Sequence, residues 1–192
     1  MPTPRRLSPL RIALTVLAVL VLAGVAAALL AGGSKHHGPT GPRSYLLRSG
    51  EQPGYSVTST PNHVELAAPG FETGFQETLG APQGRAGFTL IVVFRTRTGA
   101  LAAASSYLRA AESGARPRKI RPFTVAGVRS ARGFTGQGAP VSLANAYWTV
   151  GRCMLGSGLD LPNATASSAD ALAKPVIAGV ESQSSRIAAH CP

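Results

Sequence analysis

Twenty-two consecutive uncharged residues, Ile12 to Gly33 (IALTVLAVLVLAGVAAALLAGG), constrain this chain more than any other feature. Thr15 is the only hydroxyl among them. A helix built from the run has no polar face to turn toward water, unlike the amphipathic helices that coat a soluble core. At helical rise it spans about 33 Å, enough to cross a hydrocarbon layer of about 30 Å. Arg5, Arg6 and Arg11 precede it, and only Lys35 and Arg43 follow closely. Cations stay on the cytoplasmic side, so everything beyond Gly33 is expected outside the cytoplasm.

Secretory signals have a shorter apolar core, about 7–15 residues, which favours an uncleaved anchor. Small-residue sites at Ala26-Ala27-Ala28 and Ala31-Gly32-Gly33 make secretion after cleavage the alternative. A lipoprotein is excluded, because no cysteine lies near the end of the run. The expected organisation is a basic cytoplasmic tail (1–11), a transmembrane helix (12–33), a linker (34–43) and one extracytoplasmic domain (44–192). The linker, SKHHGPTGPR, is rich in Gly and Pro, which break regular structure. Its adjacent His36 and His37 read as solvated side chains, not as metal ligands.

Roughly 150 residues suffice for a domain that folds without a metal or a dense disulfide framework. The chain carries 19 Lys plus Arg against 8 Asp plus Glu. Setting aside the three arginines around the apolar run leaves 16 cations against 8 anions for residues 34–192. A domain this basic favours an anionic partner, although charge also maintains solubility. Arginines outnumber lysines 16 to 3 beside 31 Ala, 22 Gly and 15 Pro, all residues with GC-rich codons, which points to a GC-rich bacterial genome.

Cys153 and Cys191 are the two cysteines. In an oxidising compartment such a pair is expected as a disulfide. The rival readings are a thiol served by His63 or His190, or a zinc site. His190 adjoins Cys191 in sequence and does not face it on a helix, and zinc lacks paired ligand spacing.

Along the domain, Ser44–Leu47, Tyr55–Thr58 and His63–Ala67 read as short strands. Phe71, Phe75 and Leu79, four apart, read as one face of a helix over 70–79. Phe88–Phe94 (FTLIVVF) is the strongest strand, apolar enough to be covered on both faces. Ala100–Ser113 reads as a helix burying Leu101, Ala104, Leu108 and Ala111. Strands follow around Phe123–Val128 and Ala131–Phe134, then a turn at 136–140. Asn145–Leu155 reads as one long strand, with Tyr147, Cys153 and Leu155 on one face and Trp148, Val150 and Met154 on the other. A loop at 156–165 precedes a helix over 167–191, whose stripe Leu172, Val176, Val180, Ile187 and Cys191 faces inward. Pro175 is expected to break or kink it. The order implies an α+β fold: a mixed, mainly antiparallel sheet packed against two or three helices. The helix over 100–113 could instead cross between parallel strands.

Catalytic motifs are absent. Gly156-Ser157-Gly158 lacks nucleophile-elbow spacing, and the carboxylates are scattered rather than paired. Gly133, Gly136 and Gly138 lack the Lys-Ser/Thr of a phosphate loop. Asn163-Ala164-Thr165, a glycosylation pattern, reads as a turn. Seven cations, Arg109, Arg116, Arg118, Lys119, Arg121, Arg129 and Arg132, lie within 24 residues, and no acid occurs between Glu112 and Asp160. The last six are the candidate anion site. Guanidinium forks grip phosphate and carboxylate in pairs, which suits an anionic lipid or cell-wall polymer, whereas nucleic acid conflicts with export. Trp148 and Tyr147 could line a cleft but read first as core.

The sequence thus predicts a non-enzymatic, membrane-tethered binding or sensing domain that needs no cofactor. An envelope enzyme with a dispersed site and an accessory subunit paired with another membrane protein are the alternatives.

Overall fold

The computed structural model describes residues 41–82, 85–114, 119–137, 141–162, 169–187 and 191. The tail, the apolar run and residues 34–40 lie outside them. Among the described residues, no helix is long and apolar enough to cross a membrane.

A 3-10 turn at Pro42–Tyr45 leads into eight strands and two helices. The strands are β1 (Ser56–Val57), β2 (Asn62–His63), β3 (Phe71–Ala81), β4 (Arg85–Phe94), β5 (Lys119–Val125), β6 (Val128–Gln137), β7 (Val141–Val150) and β8 (Cys153–Pro162). The helices are α1 (Arg97–Gly114), between β4 and β5, and α2 (Ala169–Ile187), after β8. The strands form one sheet in the order β1-β3-β4-β8-β7-β6-β5, with β2 also paired to β3. Every pairing is antiparallel. The fold is therefore α+β, with an antiparallel rather than mixed sheet and two helices.

After β4 the chain crosses through α1 to the far edge, then returns as the meander β5–β6–β7–β8 until β8 pairs with β4. Alternation through these antiparallel pairs gives β4 and β5 the same direction, three strands apart. The crossover thus joins parallel-running strands that are not neighbours.

Each face of the sheet holds its own core. Beneath α2 lie Leu79, Ile91, Trp148, Cys153 and Leu155, with Val176 and Val180 from the helix. Beneath α1 lie Leu90, Val92, Tyr147 and Met154, with Ala100, Ala103 and Ala104 from the helix. Strand β4 feeds both, as its unbroken apolar run predicts. Helix α1 keeps most of its expected stripe: Ala104, Leu108 and Ala111 pack on the core beside Ala100, Ala103 and Tyr107, whereas Leu101 is 41% exposed. Small alanines let the helix approach closely, and Tyr107 is placed 5.7 Å from the Tyr147 ring.

Other expectations are corrected. Residues 71–81 are strand, not helix, because a spacing of four also fits two strand repeats. A bulge between Phe71 and Thr73 turns Phe71 toward the α1 core, while Phe75 and Leu79 face the α2 core. An extra residue in one strand reverses which face follows. The predicted strand 145–155 is a hairpin: Val150 pairs with Cys153 across Gly151-Arg152, and Gly151 adopts φ 55°, a left-handed conformation that glycine takes without a Cβ clash. Trp148 and Leu155 therefore oppose each other on the α2 face, while Tyr147 and Met154 face α1. Strand β8 also occupies most of the expected loop. Residues 44–47 are not a strand; the 3-10 turn ends at Leu46 in extended conformation. The predicted strand at 63–67 shrinks to Asn62–His63, with one further bond from Val64 N–H to the Gly74 carbonyl at 2.9 Å. Helix α2 continues through Pro175 without a break.

Candidate functional site

The first described residues, 41–55, form a strap across the α2 face, next to β3, whose outer side pairs with the short strands β1 and β2. Its carbonyls are bonded by α2 instead of by a strand ladder. Arg186 donates from Nη1 to the Ser44 carbonyl at 2.6 Å and from Nη2 to the Leu46 carbonyl at 2.8 Å. Gln183 Nε2 donates to the Tyr45 carbonyl at 2.6 Å. Arg186 also forks onto Glu51, Nε to Oε1 at 3.0 Å and Nη2 to Oε2 at 2.9 Å. Glu51 Oε2 accepts the Arg48 N–H at 2.7 Å. Burial alone would raise the Glu51 carboxyl, but hydrogen bonds from Arg186 and the Arg48 N–H and the Arg186 charge hold it below its usual value. Inside the strap, Leu47 N–H donates to Thr89 Oγ1 and Ser157 Oγ to Gln52 Oε1. A bidentate ion pair with this many charge-assisted bonds fixes geometry as well as adding energy.

Between strap and β3 opens a cleft of about 280 Å³. Arg43, Ser44 and Arg48 supply polar wall, Leu46, Leu47 and Val57 apolar wall, and Glu77 comes from the sheet. The Arg43 guanidinium lies over the Phe75 ring, 4.5 Å from its centroid, an attraction between cation and ring quadrupole. Glu77 is 9% exposed and two residues beyond Phe75, so both face the strap. Among the described residues Glu77 forms no ion pair, although two arginines line its cleft. Burial pushes its carboxyl up.

On the α1 face lies a second polar group. Asn145 pairs with Gly158 and Leu143 with Asp160, so Asn145 and Asp160 are diagonal neighbours on one face. Asn145 Oδ1 is buried without a hydrogen-bond partner. Burial pushes Asp160 up to about 6, and burial, then the nearby Tyr107 and Asp160, drives Tyr147 upward too. These groups are packed among Phe88 and Tyr107. A second groove of about 280 Å³ separates α1 from the outer hairpin, with Leu108, Glu112, Pro122, Phe123 and Arg132 in its lining.

The sequence-predicted cysteines are joined: Cys153 and Cys191 form a disulfide with Cα atoms 6.2 Å apart. Neither is a thiol available to His63. His63 is exposed on β2, its ring edge-on to Phe75 at 5.4 Å. His36, His37 and His190 lie outside the described residues.

Of the predicted anion site, Arg116 and Arg118 also lie outside them. Lys119, Arg121, Arg129 and Arg132 are exposed on the outer hairpin β5–β6. Arg121 pairs with Thr135 and Arg132 with Thr124, and alternation puts Arg121 and Arg132 on opposite faces. Arg132 Nη1 folds back to the carbonyls of Arg129 and Ala131, 2.8 Å to each. Lys119, Arg121 and Pro122 all lie on the edge strand β5, where cations and proline discourage pairing with another chain.

Sequence reasoning missed Arg43, Arg48 and Glu77. Once 71–81 is read as a strand, Phe75-x-Glu77-x-Leu79 places a carboxylate on an otherwise apolar face, and that pattern was the available signal.

No protein-family model matches the chain, and no curated protein is similar to it in sequence. Among solved structures, the extracellular domain of PknH from Mycobacterium tuberculosis is similar, with a TM-score of 0.44 and 12% identity, covering 72% of this chain and 93% of that one. A superposition this loose says nothing about shared ligand or activity.

Proposed function

We propose that this chain is a membrane-tethered extracytoplasmic binding domain, without catalytic activity, that holds a small envelope component bearing an anionic group in the cleft between strap and β3. The observation that carries this reading is the cleft itself. Two guanidinium groups stand on a strap clamped to α2, and that strap begins eight residues after Gly33, where the apolar run ends. Guanidinium is the side chain best suited to phosphate or carboxylate. The disulfide supports the compartment, since such bonds persist where thiols oxidise. The apolar run with its arginines supports the tether and the orientation. The exposed cations of β5–β6 are secondary contacts to anionic polymers at most; their split between two faces argues against a single recognition patch.

The test uses intact cells producing the full chain. Protease added outside is expected to remove the domain while a cytoplasmic marker survives. Alkylation of the denatured protein is expected to label two thiols only after reduction. A protected domain, or two thiols labelled without reduction, overturns the placement outside the cytoplasm.

A further inference from the structure

The strap cleft keeps opposite charges apart. Glu77 is 9% exposed and lines the cleft, yet neither Arg43 nor Arg48 pairs with it among the described residues. A lone carboxylate in such a place is costly, and cost of this kind concentrates where a ligand supplies the missing partner. The Arg43 guanidinium is turned to an aromatic ring instead of to this carboxylate. Arg43 is held over Phe75 at 4.5 Å. The strap that carries both arginines is fastened by Arg186 and Gln183 through the carbonyls of Ser44, Tyr45 and Leu46. Sheet edge geometry adds to this: β1 pairs with Leu79–Gly80 and β2 with Phe75–Gln76, so Glu77 falls in the gap between the two short strands that cap β3.

We propose that this cleft binds a small zwitterion, its ammonium group against Glu77 and its carboxylate or phosphate against Arg43 and Arg48. The inference rests on the cleft being the binding site, as argued above. A simple anion would sit beside an unpaired carboxylate, and a simple cation would face two guanidinium groups. Only a ligand with both charges satisfies every wall. The space, about 280 Å³, lies at the small end of ligand pockets and suits a few heavy atoms. A free α-amino acid and the phosphoethanolamine headgroup of a lipid share this chemistry.

Titration calorimetry on the full chain in mild detergent decides the matter with four probes: L-alanine, phosphoethanolamine, inorganic phosphate and ethanolamine. One zwitterion is expected to bind about tenfold more tightly than either singly charged probe, the worth of one partly buried charge pair. Preference for phosphoethanolamine identifies the lipid source, and preference for L-alanine the free amino acid. Glu77→Gln is expected to lower zwitterion affinity to that of phosphate while phosphate binding is kept. Glu77→Asp, one methylene shorter, should fall between, and it stands in if Glu77→Gln does not fold. Arg43→Gln with Arg48→Gln should weaken every probe that carries an anionic group. Phosphate binding as tightly as the zwitterions, a Glu77→Gln protein with the same ratio of affinities, or no probe binding at all would each overturn the proposal. The protease and alkylation results read location independently, so failure here leaves that part of the reading standing.

Discussion

On one face of the sheet, α2 is tied down covalently and electrostatically: Cys191, four residues beyond its last residue Ile187, is bonded to β8, and Arg186 and Gln183 grip the strap. On the other face, α1 rests on small residues, Ala100, Ala103 and Ala104, with the rings of Tyr107 and Tyr147 tilted against each other beyond them. The first face is held by a disulfide across 38 residues and by hydrogen bonds between segments more than a hundred residues apart, the second, among the described residues, by close approach. Directional bonds fix positions to fractions of an ångström, and the α2 face is the one that carries the cleft. The α1 face carries a costly carboxylate of its own, the partly buried Asp160.

Removing the disulfide should show the contrast most strongly. Cys153→Ala with Cys191→Ala opens a loop of 38 residues and is expected to cost about 4 kcal/mol in the chain-entropy account, read as a shift in denaturant midpoint. A loss below about 1 kcal/mol would mean that packing alone holds α2, as it does α1. Next in size is Arg186→Met, which strands the Glu51 carboxylate and two strap carbonyls; about 2–4 kcal/mol should be lost. Proteolysis within 43–51 should also accelerate, and an unchanged cleavage rate would show that the strap does not depend on α2.

Asp160 and Glu51, one on each face, should also respond oppositely to pH. Asp160 has a folded value raised to about 6, so the folded state keeps a proton that the unfolded chain has lost. Stability from this group is fully present below its unfolded value near 4, and is lost as pH rises through about 6. Glu51 is lowered, so its contribution is present above its ordinary value and is lost as pH falls through the depressed one. Asp160→Asn is therefore expected to stabilise by about 2–3 kcal/mol at pH 7 and hardly at all at pH 3. Equal effects at both pH values would remove the burial argument. The smallest effects belong to exposed positions: Leu101→Gln on α1 and Arg121→Ala on β5 should each stay within about 0.5 kcal/mol. A larger loss at Leu101 would mean that α1 is rotated from the position described.

Several elements could be read directly. The seven residues Phe88–Phe94 admit hardly any reading but a central strand, and α1 shows its period plainly, with Leu101 alone of its predicted stripe turned outward. The cysteine pair was legible because two cysteines leave one pairing. Strand β3 was not, since Phe71, Phe75 and Leu79 satisfy both periods. The β7–β8 hairpin hid because apolar residues run up to both sides of a turn of just two residues, Gly151-Arg152. The cleft was the least legible: Arg43 and Glu77 are 34 positions apart, and nothing local links them.

By itself, then, the sequence determined what depends on local composition: an apolar run flanked by cations, an α+β content, a strand buried on both sides and one cysteine pair. The tertiary structure decided what depends on register and crossing. A bulge sends Phe71 and Phe75 to opposite faces, a tight hairpin brings Cys153 back beneath α2, and a strap held by Arg186 sets two arginines near an unpaired Glu77. Those outcomes follow from hydrogen bonds and packing between distant segments, whose free energy no stretch of ten residues contains.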